Sequence, residues 1–126
     1  MRSHFGRRLR LSTAAQFDSV FKRGARLAGR LFLIVYAPNR VQRHRLGLAV
    51  GRKVGGAVAR NRARRLLRES FRRAERRARN GYDLVVVAHQ GIVACGQAEV
   101  DREFRERLKR IEAASGSSGA PAAAGD

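Results

Sequence analysis

Between residues 12 and 112 the apolar positions change period several times, and each change marks an element. In "STAAQFDSVFKRG", Phe17, Val20 and Phe21 fall at i, i+3 and i+4, on one face of a short helix. Thr13 and Gln16 have the spacing of a capping box at its start, and Gly24 suits the position just past its end. In "RLFLIVYAP" the period drops to two. This run is rich in β-branched and aromatic residues and stops at Pro38, so it reads as a strand. Phe32, Ile34 and Tyr36 take one face of it, Leu33 and Val35 the other. "NRVQRHR" is a polar turn or loop, and "LGLAVGRKV" a second strand region, either one strand or two short ones broken near Gly51.

A long helix follows, predicted from Asn61 to Arg79 and ended by Gly81. Ala63, Leu66, Leu67, Ser70, Phe71, Ala74 and Ala78 make one continuous small-and-apolar stripe along it. "YDLVVVAH" reads as a compact strand buried on both faces, and "QGIVACGQAEV" as a connection of undetermined shape. A last helix runs from about Val100 to Ala114, with Val100, Phe104, Leu108 and Ile111 on one face. Residues 1–11 form a basic arm, 12–112 one folded domain, and 113–126 an Ala, Gly and Ser tail with too little apolar surface to order itself. The order is α-β-β-(β)-α-β-α. It predicts a small α/β (α+β) two-layer sandwich, with helices packed on a sheet of about four strands.

Charge changes this picture. A net charge of +18 comes from 28 Lys and Arg against 10 Asp and Glu. Folding gains nothing from such self-repulsion, so a polyanionic partner accounts for it; nucleic acid comes first and an anionic membrane surface second. No segment approaches the roughly 20 apolar residues needed to span a bilayer, and the basic N-terminus has no apolar run after it. Cys95 is the only cysteine, which excludes an internal disulfide. These features fit a cytoplasmic protein.

The basic residues concentrate in "RNRARRLLRESFRR", residues 60–73, where seven of fourteen are arginine and Glu69 is the one acid. With the apolar stripe as one pole, Asn61, Arg65, Arg68 and Arg72 lie near the opposite pole, and Arg62 and Arg64 on the flanks. Arginine forks onto phosphate oxygens and stacks on bases, so the helix reads as a guanidinium ridge that tracks a phosphate backbone. The plainer alternative is a solvated charged face, but such faces usually mix signs as i,i+4 pairs. In the preceding "GRKVGGAVA", Gly51 and Gly56 have the spacing of a phosphate-binding loop. Ala57 and Val58 stand where Lys and Ser or Thr are needed, which excludes a nucleoside triphosphatase. The glycines permit a turn and a close backbone approach to RNA, and Arg52 and Lys53 add charge beside them. Phe17 and Phe21 fit either core packing or a stacking platform for unpaired bases, and so does Tyr36.

Nothing in the chain has the form of a protein nuclease. The acids are scattered, His4, His44 and His89 lie far apart, and Cys95 has no Cys or His nearby for a metal site.

"KVGGAVARNRARRLLRESFR", residues 53–72, closely resembles the signature of the bacterial ribonuclease P protein component, centred on Arg60, Asn61 and Arg62. "RLRLSTAAQFDSVFKRG", "LGLAVGRKVG", "YDLVVVAHQG" and "VDREFRERLKRI" resemble that family's other segments in order, so the likeness covers about residues 7–112. The resemblance implies a left-handed crossover around the arginine helix, an exception to the usual right-handed rule. It implies one protein bound to one large catalytic RNA that removes the 5′ leader from precursor tRNA. The chemistry and its magnesium then sit with the RNA, while the protein binds the leader and broadens substrate choice. By position, Arg52, Lys53, Arg60, Asn61, Arg62, Arg64, Arg65, Arg68 and Arg72 are implied to meet RNA, and Phe17, Phe21 and Tyr36 to line the leader cleft. Two departures stand out. Gly56 replaces an asparagine common in the family, and Val35 falls where a cleft aromatic is expected, with Tyr36 one residue later and so on the other face. By composition alone, a ribosomal-type structural RNA-binding protein or a basic nucleic-acid chaperone fits as well.

Overall fold

The computed structural model describes residues 10–11, 13–41, 43–75 and 81–117. Helix α1 spans Ala14–Arg23. It opens on the capping box expected of Thr13 and Gln16, each side chain bonded to the other's backbone N–H. Gly24 follows in an extended conformation, not a left-handed one, and donates its N–H to the Val20 carbonyl.

Four strands make one mixed sheet in the order β1-β2-β4-β3: β1 Ala25–Ala28, β2 Phe32–Pro38, β3 Arg45–Ala49 and β4 Tyr82–Ala88. β1 was not legible as a strand. It is four residues long, with an unremarkable "ARLA" sequence, and it forms because it folds back antiparallel on β2. The fourth strand therefore does not come from splitting "LGLAVGRKV". That stretch is one strand, β3, followed by a short 3-10 turn at Arg52–Val54. β2 and β4 pair antiparallel, and β3 and β4 pair parallel. Helix α2, Ala57–Glu75, makes the crossover between the parallel pair. It begins four residues earlier than the stripe predicted, because Gly55 turns the chain at φ 144°, where a side chain is strained. The predicted continuation to Arg79, including Ala78, lies outside the described residues.

α2 packs beside α3, Gln97–Ser117, on one face of the sheet. Ala63, Leu66, Leu67 and Phe71 of α2 are buried there with Val100, Phe104, Leu108 and Ile111 of α3, against Phe32, Ile34 and Tyr36 of β2. α1 lies on the opposite face, where Val20 is buried with Leu11, Val35 and Val85. Strand alternation thus divides β2 as its sequence predicted. β4 is buried on both faces, as its unbroken apolar run requires.

Both domain boundaries shift. Arg10 and Leu11 belong to the fold and not to an arm, since Arg10 bridges β3 at Leu46 and Leu11 is core. α3 continues through Ser117, into residues that composition assigns to the tail. Positions 1–9 and 118–126 lie outside the described residues. The connection after β4 is a 3-10 helix, Gln90–Ala94.

Candidate nucleic-acid interface

Burial of the apolar stripe fixes the rotation of α2, and that rotation sorts its arginines. On the flank toward the β3 edge lie Arg64 and Arg68, with Arg65 at the outward pole beside them; among the described residues none of the three has a carboxylate partner. Arg65 and Arg68 are exposed, and Arg64 is half-buried and donates to the Asn61 side-chain oxygen. Partial burial pushes the Arg68 guanidinium below its usual range, and the charges of Arg64 and Arg10 push it further the same way. Arg64 and Arg68, like charges with no carboxylate partner among the described residues, are what an anion site looks like before its ligand arrives. Arg52 and Lys53 are exposed on the 3-10 turn before α2. Asn61 is exposed in the helix's second turn. Arg60 is half-buried, and its Nε is buried with no hydrogen-bond partner among the described residues.

The flank toward α3 is organised differently. Arg62 donates from Nε to the Val93 carbonyl (3.2 Å) and from a terminal nitrogen to the Cys95 carbonyl (2.9 Å). Arg73 is paired with Glu69 and Asp101. Arg72 is also tied to Glu69, and the Arg72 hydrogen bond is the main reason the Glu69 carboxyl sits below its usual range. Ser70 sits in the apolar stripe because it is hydrogen-bonded: it donates to Asp101 and accepts from Gln97, which also reaches the Leu66 carbonyl. The single ridge expected at residues 60–73 is thus two sides, one with no carboxylate partner among the described residues and one bonded inward.

The aromatic candidates also separate. Phe17 is half-buried, its ring so close over Gly47 that a Cβ there would stand 2.7 Å from the ring. One turn on, Phe21 is 38% exposed. Tyr36 is not with them. It is buried on the other face of the sheet, edge-on to Tyr82 in the core beneath α2 and α3, so its expected place in a leader cleft is corrected. Alternation along β2 is the cause: no bulge intervenes, and Val35 takes the α1 face instead. Sequence reasoning missed the floor beside Phe17, formed by the half-buried Leu33, Ala49 and Val87. They are paired neighbours across β2, β4 and β3, a row that becomes visible only with strand order.

The ridge and this apolar groove meet at one edge. Arg10, close enough to repel Arg68, is followed by Leu11, which packs under the groove beside Gly47. Carboxylates elsewhere are engaged: Asp83 by Arg45 and Asn39, Glu103 by the Leu31 N–H, Glu112 by His44. His44 is fully buried, accepting the Tyr82 N–H at Nδ1, which leaves Nε2 to donate to Glu112. Burial first, then the Glu99 charge, pushes the Cys95 thiol up, away from the reactive thiolate. Among the described residues no group of three or more His, Cys, Asp or Glu gathers, and no helix is long and apolar enough to cross a membrane.

These features define a small basic α+β domain that presents an arginine-lined edge and an adjoining apolar groove, the form of a protein built to bind RNA. The Ribonuclease P family description matches residues 5–112. The ribonuclease P protein component of Azotobacter vinelandii is 41% identical over 109 residues, covering 85% of this chain and 83% of that protein. That of Syntrophomonas wolfei is 32% identical over 104 residues, covering 82% and 87%. Among solved structures, the RNase P protein from Thermotoga maritima superposes with a TM-score of 0.74 at 32% identity, covering 81% of this chain and 96% of that one. The Staphylococcus aureus RNase P protein gives 0.71 at 28%, covering 81% and 94%. The chain belongs to the ribonuclease P protein family. It is a component of a ribonucleoprotein that acts in tRNA processing, and an RNA subunit is its partner.

Proposed function

We propose that this chain is the auxiliary subunit of a cytoplasmic ribonuclease P in which a catalytic RNA, one per protein, performs the hydrolysis that frees the mature 5′ end of tRNA. The observation that carries the proposal is the outward and β3-edge side of α2, where Arg64, Arg65 and Arg68 lack any carboxylate partner among the described residues. That side, with Arg52, Lys53, Arg60 and Asn61 at its N-terminal end, takes the phosphates of the RNA subunit. Arg72, already held by Glu69, adds less.

The groove of Phe17, Phe21, Leu33, Ala49 and Val87 takes the unpaired precursor leader, whose bases can stack on the exposed Phe21 ring. Because groove and ridge share the β3 edge, leader and RNA subunit are brought side by side, and the gain in positioning broadens substrate choice. Magnesium in this reading is held by the RNA, since the described carboxylates are bonded to protein partners. Asp18 is paired with Lys22, Glu106 with Arg107, and Glu99 accepts the Gly96 N–H.

The test is cleavage of precursor tRNA at low magnesium by protein alone, by a bacterial ribonuclease P RNA alone, and by both. Cleavage at the mature 5′ end chiefly with both is expected. Cleavage by protein alone would refute RNA catalysis. Binding with no change in rate would favour a purely structural RNA-binding protein.

A further inference from the structure

We infer that Arg62, although it lies in the arginine-rich signature, is a positioning residue that latches the 90–95 segment to α2 and is not a phosphate contact. The inference rests on reading the opposite flank of α2 as the phosphate-binding one. Its guanidinium is aimed away from that flank and forks onto two backbone carbonyls, Val93 and Cys95, at 3.2 and 2.9 Å. Those carbonyls close the 3-10 helix Gln90–Ala94, where the backbone runs out of internal donors. A planar, permanently charged fork suits two acceptors at fixed separation; an ammonium does not.

What the latch holds has consequences for the site. The 90–95 segment packs against the Arg52–Val54 turn as well as against α2. It also continues directly from β4, whose Val87 lines the groove floor. Arg62 therefore fixes the position of Arg52 and Lys53 relative to the ridge, and the end of the floor relative to both. Gln97 makes a second, weaker stitch across the same seam, through its bond to the Leu66 carbonyl. Using Arg62 on phosphate would release both carbonyls.

Three variants test this in the complex with ribonuclease P RNA: Arg62→Ala, Arg62→Lys and, as reference, Arg68→Ala. Two quantities are read. One is the slope of log binding constant against log salt. The other is amide hydrogen exchange at Ile92 and Cys95, whose N–H groups donate to the His89 and Ile92 carbonyls. The latch predicts an unchanged salt slope for Arg62→Ala and about tenfold faster exchange at both amides, the scale for losing charged-donor hydrogen bonds from a local unit. Arg62→Lys restores neither amide. Arg68→Ala lowers the slope by about 0.7–0.9, one phosphate contact. A fall of that size in Arg62→Ala, whatever the exchange does, overturns the inference; so does unchanged exchange. If Arg68→Ala leaves the slope untouched, the phosphate reading of the opposite flank fails, and the exchange result still decides the latch.

Discussion

On the outward and β3-edge side of α2, Arg64, Arg65 and Arg68 have no carboxylate partner among the described residues, and Arg68 is held below its usual pKa by burial and like charge. On the flank that faces α3, Arg62 is bonded to Val93 and Cys95, and Arg73 to Glu69 and Asp101. One helix, one residue type and about three turns thus give two arrangements, and the difference lies in what the neighbouring element offers. α3 brings carboxylates, a glutamine and the free carbonyls of a preceding 3-10 turn. The β3 edge brings the like charge of Arg10. An arginine bonded inward adds to the fold; one left beside like charge lowers stability slightly and is accounted for only by a partner outside the chain.

Substitutions can break this contrast. The largest expected effect on folding is at Asp101, where the inward flank converges. Asp101→Ala leaves the buried Ser70 hydroxyl without its acceptor, removes one of the Gln97 amide's three and frees one partner of Arg73, and it is expected to lower unfolding stability by about 1–3 kcal/mol in a denaturant titration. Its salt slope for RNA should match the parent. Burial opposes ionisation of Asp101, but the bonds from Ser70 and Gln97 and the Arg73 charge outweigh it and hold the carboxyl below its usual range. A depressed folded pKa means the stabilisation is present above the unfolded value, about 3.9, and is lost as pH falls through the lower folded one. Asp101→Ala should therefore also flatten the loss of stability below about pH 4.

The aromatics of α1 extend the contrast at intermediate size. Phe17→Ala removes a half-buried ring packed over Gly47 and is expected to lower stability by about 1–2 kcal/mol, less than for a fully buried ring. Phe21→Ala should leave stability within about 0.5 kcal/mol and weaken binding of leader-bearing substrate by about 1–3 kcal/mol relative to mature tRNA. Equal stability losses for the two would mean that both are core. The smallest effect is at Glu69. Glu69→Gln frees Arg72 and Arg73 from their shared partner and should tighten RNA binding at low salt, with the gain fading as salt screens it. No change would show that these two arginines lie out of reach of RNA.

Elements with a strong period were legible from the chain: the capping box of α1, the alternation of β2, the double-sided burial of β4 and the apolar stripe of α2. β1 was not, because four residues of mixed character become a strand only when β2 is there to receive them. The places of Tyr36 and Val35 followed from alternation: Val35, at the position where the resemblance implies a cleft aromatic, faces α1, and Tyr36 faces the other core. The groove floor needed strand order, since Leu33, Val87 and Ala49 are far apart in sequence. The split of α2 into two flanks needed the neighbours. Helical spacing gives the angle of each arginine, but the acceptors on Val93 and Cys95 lie some thirty residues away, on a connection of no recognisable pattern.

The most direct test of the account is the salt dependence of precursor tRNA cleavage by the reconstituted ribonucleoprotein carrying Arg64→Ala, Arg65→Ala and Arg68→Ala together. With folding checked by denaturant titration, the account predicts near-parental stability. It also predicts weaker RNA binding, whose salt slope is shallower by about two to three units, close to one per lost phosphate contact. A triple variant that binds and cleaves with the parent's slope would contradict it and place the RNA on some other surface of the protein.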